Sequence, residues 1–221
     1  MIKEIISNLR NIDKNIWGLY TFKRDPLCNK ITFAEKIDMI EKANKCGIEK
    51  ALELRESFGS KTCREYADKL GLSVSEIEER NSNDYILFAK FNAPNKISIC
   101  RNNVKIAKEM VEREKISTLI DDVNIEDVLI SHEMFHFLEG QDKNIYTKNE
   151  KIKLWSIGPI KYHSGVVALG EIAAMSFAKE LLKLNYYPNL FDILLLYPQN
   201  EKRALELYDE IYAVKGADDN A

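Results

Sequence analysis

His132, Glu133 and His136 stand in the order HEMFH, a match to the pattern HExxH. Successive helical residues are rotated by about 100°, so positions i and i+4 fall about 40° apart and two imidazoles placed there point to the same side. Two such nitrogens can share one divalent cation, and a glutamate at i+1 stands beside them without being drawn into coordination. That combination suits hydrolysis assisted by zinc: the metal lowers the pKa of a water toward about 7, and the carboxylate takes its proton. The bland alternative is a pair of histidines that only fill a helix face.

A zinc site needs a third protein ligand, and His163 is the one other histidine of the 3 in the chain. Two carboxylates compete with it. Glu171, the stronger, lies 171 − 136 = 35 positions after His136 in GEIAAMSFAKELL, where Glu171, Ala174, Met175, Ala178 and Leu182 share a helical stripe. Small residues on that stripe allow a close helix approach. Gly170, which costs about 1 kcal/mol in a helix relative to alanine, makes sense if two helices nearly touch there. Asp142 falls after a glycine turn, as a third ligand does in metzincins, but Glu139 occupies the glycine position of that pattern and the glycine is Gly140. In KYHSG, Tyr162 and His163 precede the glutamate helix and are candidates to stabilise the oxyanion of a tetrahedral intermediate, or else to pack.

The elements that must position these groups are legible in part. Asn124, with Glu126 and Asp127 behind it, marks the start of a helix over 125–139, with Gly140 in the left-handed position that ends it. The glutamate helix is expected over 165–184, capped by Ser164 and closed by Asn185 and Pro188. Upstream, the runs YILFAKF (85–91) and ISIC (97–100) read as two adjacent strands, either of which could accept an extended substrate at an exposed edge. A helix through Val104, Ala107, Met110 and Val111 follows. The segment 1–80 reads as helices: Ile2, Ile5, Ile6 and Leu9 recur at helical spacing, Thr32 with Glu35 and Thr62 with Glu65 form capping boxes, and Gly71 stops a helix.

At about 150 residues per domain, the 221 residues predict one compact α+β domain over 1–221, predominantly helical. Within it lie a helical portion over 1–80, a catalytic core over 81–215 and a frayed tail over 216–221. The net charge of −3 gives no overall attraction to nucleic acid or an anionic membrane. TCREYADKLGLSVSEIEER could form a DNA-binding helix-turn-helix, but its second helix would carry Glu76, Glu78 and Glu79 against Arg80 and repel phosphates. Cys28, Cys46, Cys63 and Cys100 form no CxxC pair, no apolar run approaches the roughly 18 residues of a membrane span, and the N-terminus lacks a signal-peptide centre. A cytoplasmic protein with reduced thiols is expected.

From Thr62 to Pro188, through EYADKLGLSV, the paired strands, SHEMFHFLE and GEIAAMSFAKELL, the chain resembles the ImmA/IrrE-type zinc metallopeptidases, a gluzincin-like family. The resemblance implies a zincin-like fold, a Zn2+ cofactor, His132, His136 and Glu171 as ligands, Glu133 as general base, and a protein or peptide substrate. Two departures stand out: the segment 181–187 continues where the family commonly has a Met-Pro stop, and the segment 1–60 matches nothing in it. The family is associated with cleaving transcriptional repressors, and no particular substrate carries over to this chain.

Overall fold

In a computed structural model of the protein, residues 1–78, 86–157 and 160–218 are described. The chain is α+β and 63% helical. It opens with α1 (Ile2–Leu9), whose four expected apolar residues are all buried, and α2 (Lys14–Phe22), whose first amides are held by Asp13. Both capping boxes form: Thr32 with Glu35 starts α3 (Phe33–Phe58) and Thr62 with Glu65 starts α4 (Cys63–Lys69). Gly71 then turns the chain at φ +71°, in the left-handed region that glycine alone occupies without strain.

The expectation of helix throughout 1–80 fails at β1 (Ser73–Ile77). SVSEI pairs in parallel with β3 (Lys96–Cys100), which pairs antiparallel with β2 (Ala89–Asn92) in the order β1-β3-β2. A strand therefore stands where a recognition helix would begin. Glu79, Arg80 and Tyr85 lie outside the described residues. Of the two runs expected to offer an edge, β3 is paired on both sides, and among the described residues only β2 keeps an edge with no strand beside it.

Next come α5 (Arg101–Arg113), α6 (Ile125–Gln141), the short α7 (Tyr146–Asn149), a hairpin of β4 (Lys151–Ile157) and β5 (Ile160–Gly165), α8 (Val167–Leu182), α9 (Leu190–Leu196) and α10 (Glu201–Asp218). Asn124 caps α6 as expected, but Gly140 lies inside the helix with no left-handed turn, and Asp142 ends it. α8 starts two residues later than expected. Ser164 belongs to β5, and the cap comes from afar: Asp25, after α2, accepts the Ala168 amide at 2.8 Å. At its other end Lys183, at φ +55°, closes the helix. Of the tail expected to fray, residues 216–218 belong to α10 and 219–221 lie outside the described residues.

One hydrophobic core runs from Ile2 to Val214, with α8 at its centre and ten of that helix's residues buried. α3 packs on α8 so closely that a Cβ on Gly47 would strike the Ala173 carbonyl. α6 meets α8 where Phe135 and Phe177 contact with ring centroids 5.8 Å apart, and where the Glu139 carboxylate lies 3.0 Å from a Cβ built on Gly170. Ala174 and Ala178 are fully buried. No helix among the described residues is long and apolar enough to cross a membrane. None of the four cysteines forms a disulfide, and burial with the nearby Asp127 charge pushes the Cys63 thiol up to about 12.

Candidate metal centre

The α6–α8 packing brings three sequence-predicted ligands together. His132 Nε2 lies 3.3 Å from Glu171 Oε2, His136 Nε2 lies 3.5 Å from Glu171 Oε1, and the two Nε2 atoms are 3.2 Å apart. The helical spacing in HEMFH explains the histidine pair, whose rings meet edge-on at 4.9 Å. Glu171 reaches them because α8 crosses α6 with only Gly170 between its backbone and Glu139. Among the described residues, this is the one group of three or more histidine, cysteine, aspartate or glutamate side chains that could hold a metal ion.

The donor set fits zinc. In a tetrahedral site with bonds of 2.0–2.1 Å the ligand atoms stand roughly 3.3 Å apart, and two imidazoles with a carboxylate are a common protein contribution to a site that keeps a fourth position open. The two imidazole nitrogens stand 3.2 Å apart, and Glu171 turns a different oxygen to each, Oε2 at 3.3 Å from His132 and Oε1 at 3.5 Å from His136, so the three side chains converge within reach of one ion. Burial works against a charge on His132, yet the hydrogen bond and charge of Glu171, helped by Glu133 and Asp192, push the imidazole up to about 9. Burial likewise opposes a Glu171 carboxylate, but the His132 hydrogen bond and the charges of both histidines hold it down at about 2.

Glu133 points to the sheet. Its Oε2 accepts the Phe91 amide at 2.7 Å from the free edge of β2. With His132 and Glu171 it lines a cavity of about 710 Å³ that extends under residues 86–89 toward α9 and α10.

Two residues that sequence reasoning misses belong to this centre. Glu139, three positions after His136, sets a carboxylate 3.7 Å from the His136 Nδ1 and accepts the Thr147 hydroxyl at 2.5 Å. Burial opposes its charge, but these two partners hold the carboxyl below its ordinary value. A carboxylate behind a ligating histidine fixes its ring and tautomer. Asp192 of α9 lines the cavity; burial pushes its carboxyl up to about 6, Glu171 adding to the rise while Arg24 and His132 oppose it. A single acid in the run LFDILLL is the signal for it.

The other candidates lie elsewhere. Asp142, at the end of α6, pairs with Lys50 of α3 at 2.9 Å and accepts the Asn144 amide, so the metzincin-like third ligand has no counterpart. Tyr162 and His163 sit on β5, His163 opposite Lys153 and Tyr162 half-exposed and stacked on Trp155 at 5.6 Å. Neither lines the cavity. No protein family, curated protein or solved structure matches this chain.

Proposed function

We propose that this chain is a zinc-dependent metallopeptidase of zincin-like, gluzincin type, akin to the ImmA/IrrE enzymes, acting on a protein or peptide in the cytosol. The observation that carries the reading is the convergence of His132, His136 and Glu171, with His132 and Glu171 sharing the wall of one cavity with Glu133. A site that served only the fold would have no use for a base at that position.

When bound, zinc supplies Lewis acidity that polarises a peptide carbonyl and lowers the pKa of water toward about 7. His132, His136 and Glu171 would hold it, and Glu139 keeps His136 turned toward the shared centre. Glu133 takes the proton from the attacking water and delivers it to the leaving amine. Its hydrogen bond from the Phe91 amide fixes the carboxylate against the edge of β2, where an extended peptide would run.

Glu133→Gln tests the reading directly. The amide keeps the shape of the side chain and cannot accept the proton, so peptide hydrolysis should vanish while bound zinc stays near one per chain. Unchanged turnover in the zinc-loaded variant would sink the mechanism.

A further inference from the structure

The hairpin of β4 and β5 carries exposed side chains on both faces. Cross-strand pairing sets its levels: outermost Ile157 with Ile160, then Ser156 with Lys161, Trp155 with Tyr162, Lys153 with His163 and, at the root, Lys151 with Gly165. Neighbouring residues of a strand face opposite sides, so Lys161 and His163 share one face of the ribbon and Tyr162 takes the other. Lys153, Lys161 and His163 are exposed on the first face and Trp155 and Tyr162 on the second, and no described element covers either.

Its composition is one-sided. The run KIKLWSIGPIKYHSG (151–165) holds Lys151, Lys153 and Lys161 and no carboxylate. Among the described residues none of these lysines pairs with an acid. The whole chain carries −3, so the remainder carries −3 − 3 = −6. Of the seven large apolar or aromatic side chains exposed among the described residues, three are Trp155, Tyr162 and, just past the root, Val167. Positive charge around exposed aromatics calls for an anionic partner.

Three kinds of anionic partner differ in the shape they require. A specific protein interface takes about 20–30 residues a side, whereas β4 offers 7 and β5 offers 6. A nucleic acid strand is gripped along a basic groove; a two-stranded ribbon exposed on both faces has none, and the phosphates would run on past it toward the acidic remainder. A bilayer surface meets a hairpin tip alone and surrounds it, which uses both faces. Tryptophan and tyrosine settle at the headgroup level, and lysines close to the surface are drawn to anionic lipids. At about 3.3 Å per residue, Trp155 stands about 7 Å behind the outermost pair, within the depth of about 5–10 Å to which interfacial elements sink. Lys161, between those levels, can reach back to the headgroups along its stem.

We infer that the β4–β5 hairpin docks this protein on an anionic bilayer, with Trp155 and Tyr162 at the headgroup level and Lys151, Lys153 and Lys161 drawn to the lipid anions. The inference is independent of the peptidase reading. It agrees with a cytosolic location, because the cytoplasmic leaflet is the anionic one.

The chain has 2 tryptophans, and Trp17 is 2% exposed against 47% for Trp155, so Trp155 reports docking. Titrating the full chain with vesicles of equimolar phosphatidylcholine and phosphatidylserine should shift the tryptophan emission saturably to the blue, and added salt should reduce the shift. Trp155→Phe should erase the shift while the protein still co-sediments with the vesicles. Lys153→Glu combined with Lys161→Glu, both at exposed positions, should leave the thermal transition in place and weaken co-sedimentation about thirtyfold or more. No shift on the anionic vesicles, equal binding to phosphatidylcholine alone, or equal binding by the charge-reversed variant overturns the inference. A shift with oligothymidylate at physiological salt in place of the vesicles also overturns it, and would assign the hairpin to single-stranded nucleic acid.

Discussion

At the scale of single residues, the proposed zinc would compete with protons for the same atoms. With His132 at about 9 against an ordinary 6.5, its interaction with Glu171 stabilises the metal-free fold fully below pH 6.5 and fades as pH rises toward 9. Glu171, at about 2 against 4.5, contributes above pH 4.5 and loses that contribution as pH falls toward 2. This pair therefore supports the metal-free protein best between pH 4.5 and 6.5. Zinc must displace the His132 proton, so its affinity should climb about tenfold per pH unit and level off near pH 9. Competition titration with a chelator at several pH values measures this, and a flat response would remove His132 from the ligand set. The same titration separates the carboxylates: Glu171→Ala should weaken zinc about tenfold or more, about 1.4 kcal/mol, and Asp142→Ala should leave it nearly unchanged because Asp142 faces Lys50. Loss of zinc in Asp142→Ala with retention in Glu171→Ala would reverse the assignment. HEMFH is legible because its geometry is local to one helix, and Glu171 because small residues and a glycine announce a helix crossing. Asp192 acquires its meaning only when α9 comes to line the same cavity as His132, a proximity that no spacing within α9 encodes.

Among elements, what sequence reading recovers divides along the same line. Both capping boxes and the Asn124 cap are contacts between near neighbours in the chain, and all three form. β1 reads as helix in isolation because a strand is defined by its partner, and here Ser73 pairs with the distant Lys96 of β3. The cap of α8 is the sharpest case, since Ser164 is the local candidate and Asp25 the actual one. Asp25 is 6% exposed; one carboxylate oxygen accepts the Leu27 amide at 2.7 Å and the other the Ala168 amide at 2.8 Å. Ala168 stands three positions before Glu171, so this bond fixes the end of the helix that presents the proposed third ligand. Asp25→Ala should cost about 0.5–2 kcal/mol in urea denaturation and weaken zinc as well, whereas Asp25→Asn, which keeps one accepting oxygen but sets its NH2 against the other amide, should restore only part of both. Wild-type stability and zinc affinity in the alanine variant would show that the first turn of α8 holds itself.

For the whole molecule, the segment 1–60 decides whether the centre exists. The resemblance to a peptidase family covers Thr62 to Pro188, and read alone it would make the preceding helices an appendage. The packing says otherwise. α3 lies along α8, with Gly47 against the Ala173 backbone and the Asn44 side chain accepting the Ser176 hydroxyl, and Asp25 caps the same helix. Removing this segment would strip one face from the helix at the centre of the core, exposing Ala173 and Phe177 and leaving Ser176 without its partner. Each buried large side chain is worth about 1.5–3 kcal/mol, while a domain of this size holds only about 5–15 kcal/mol of net stability. Few such losses can be absorbed. The segment 61–221 expressed alone should therefore show no cooperative thermal transition and should bind a hydrophobic dye, while the full chain melts in one transition that shifts upward with added zinc. A truncated protein that melts cooperatively and keeps zinc affinity within about tenfold of the full chain, about 1.4 kcal/mol, would show instead that the N-terminal helices only decorate an independent catalytic unit.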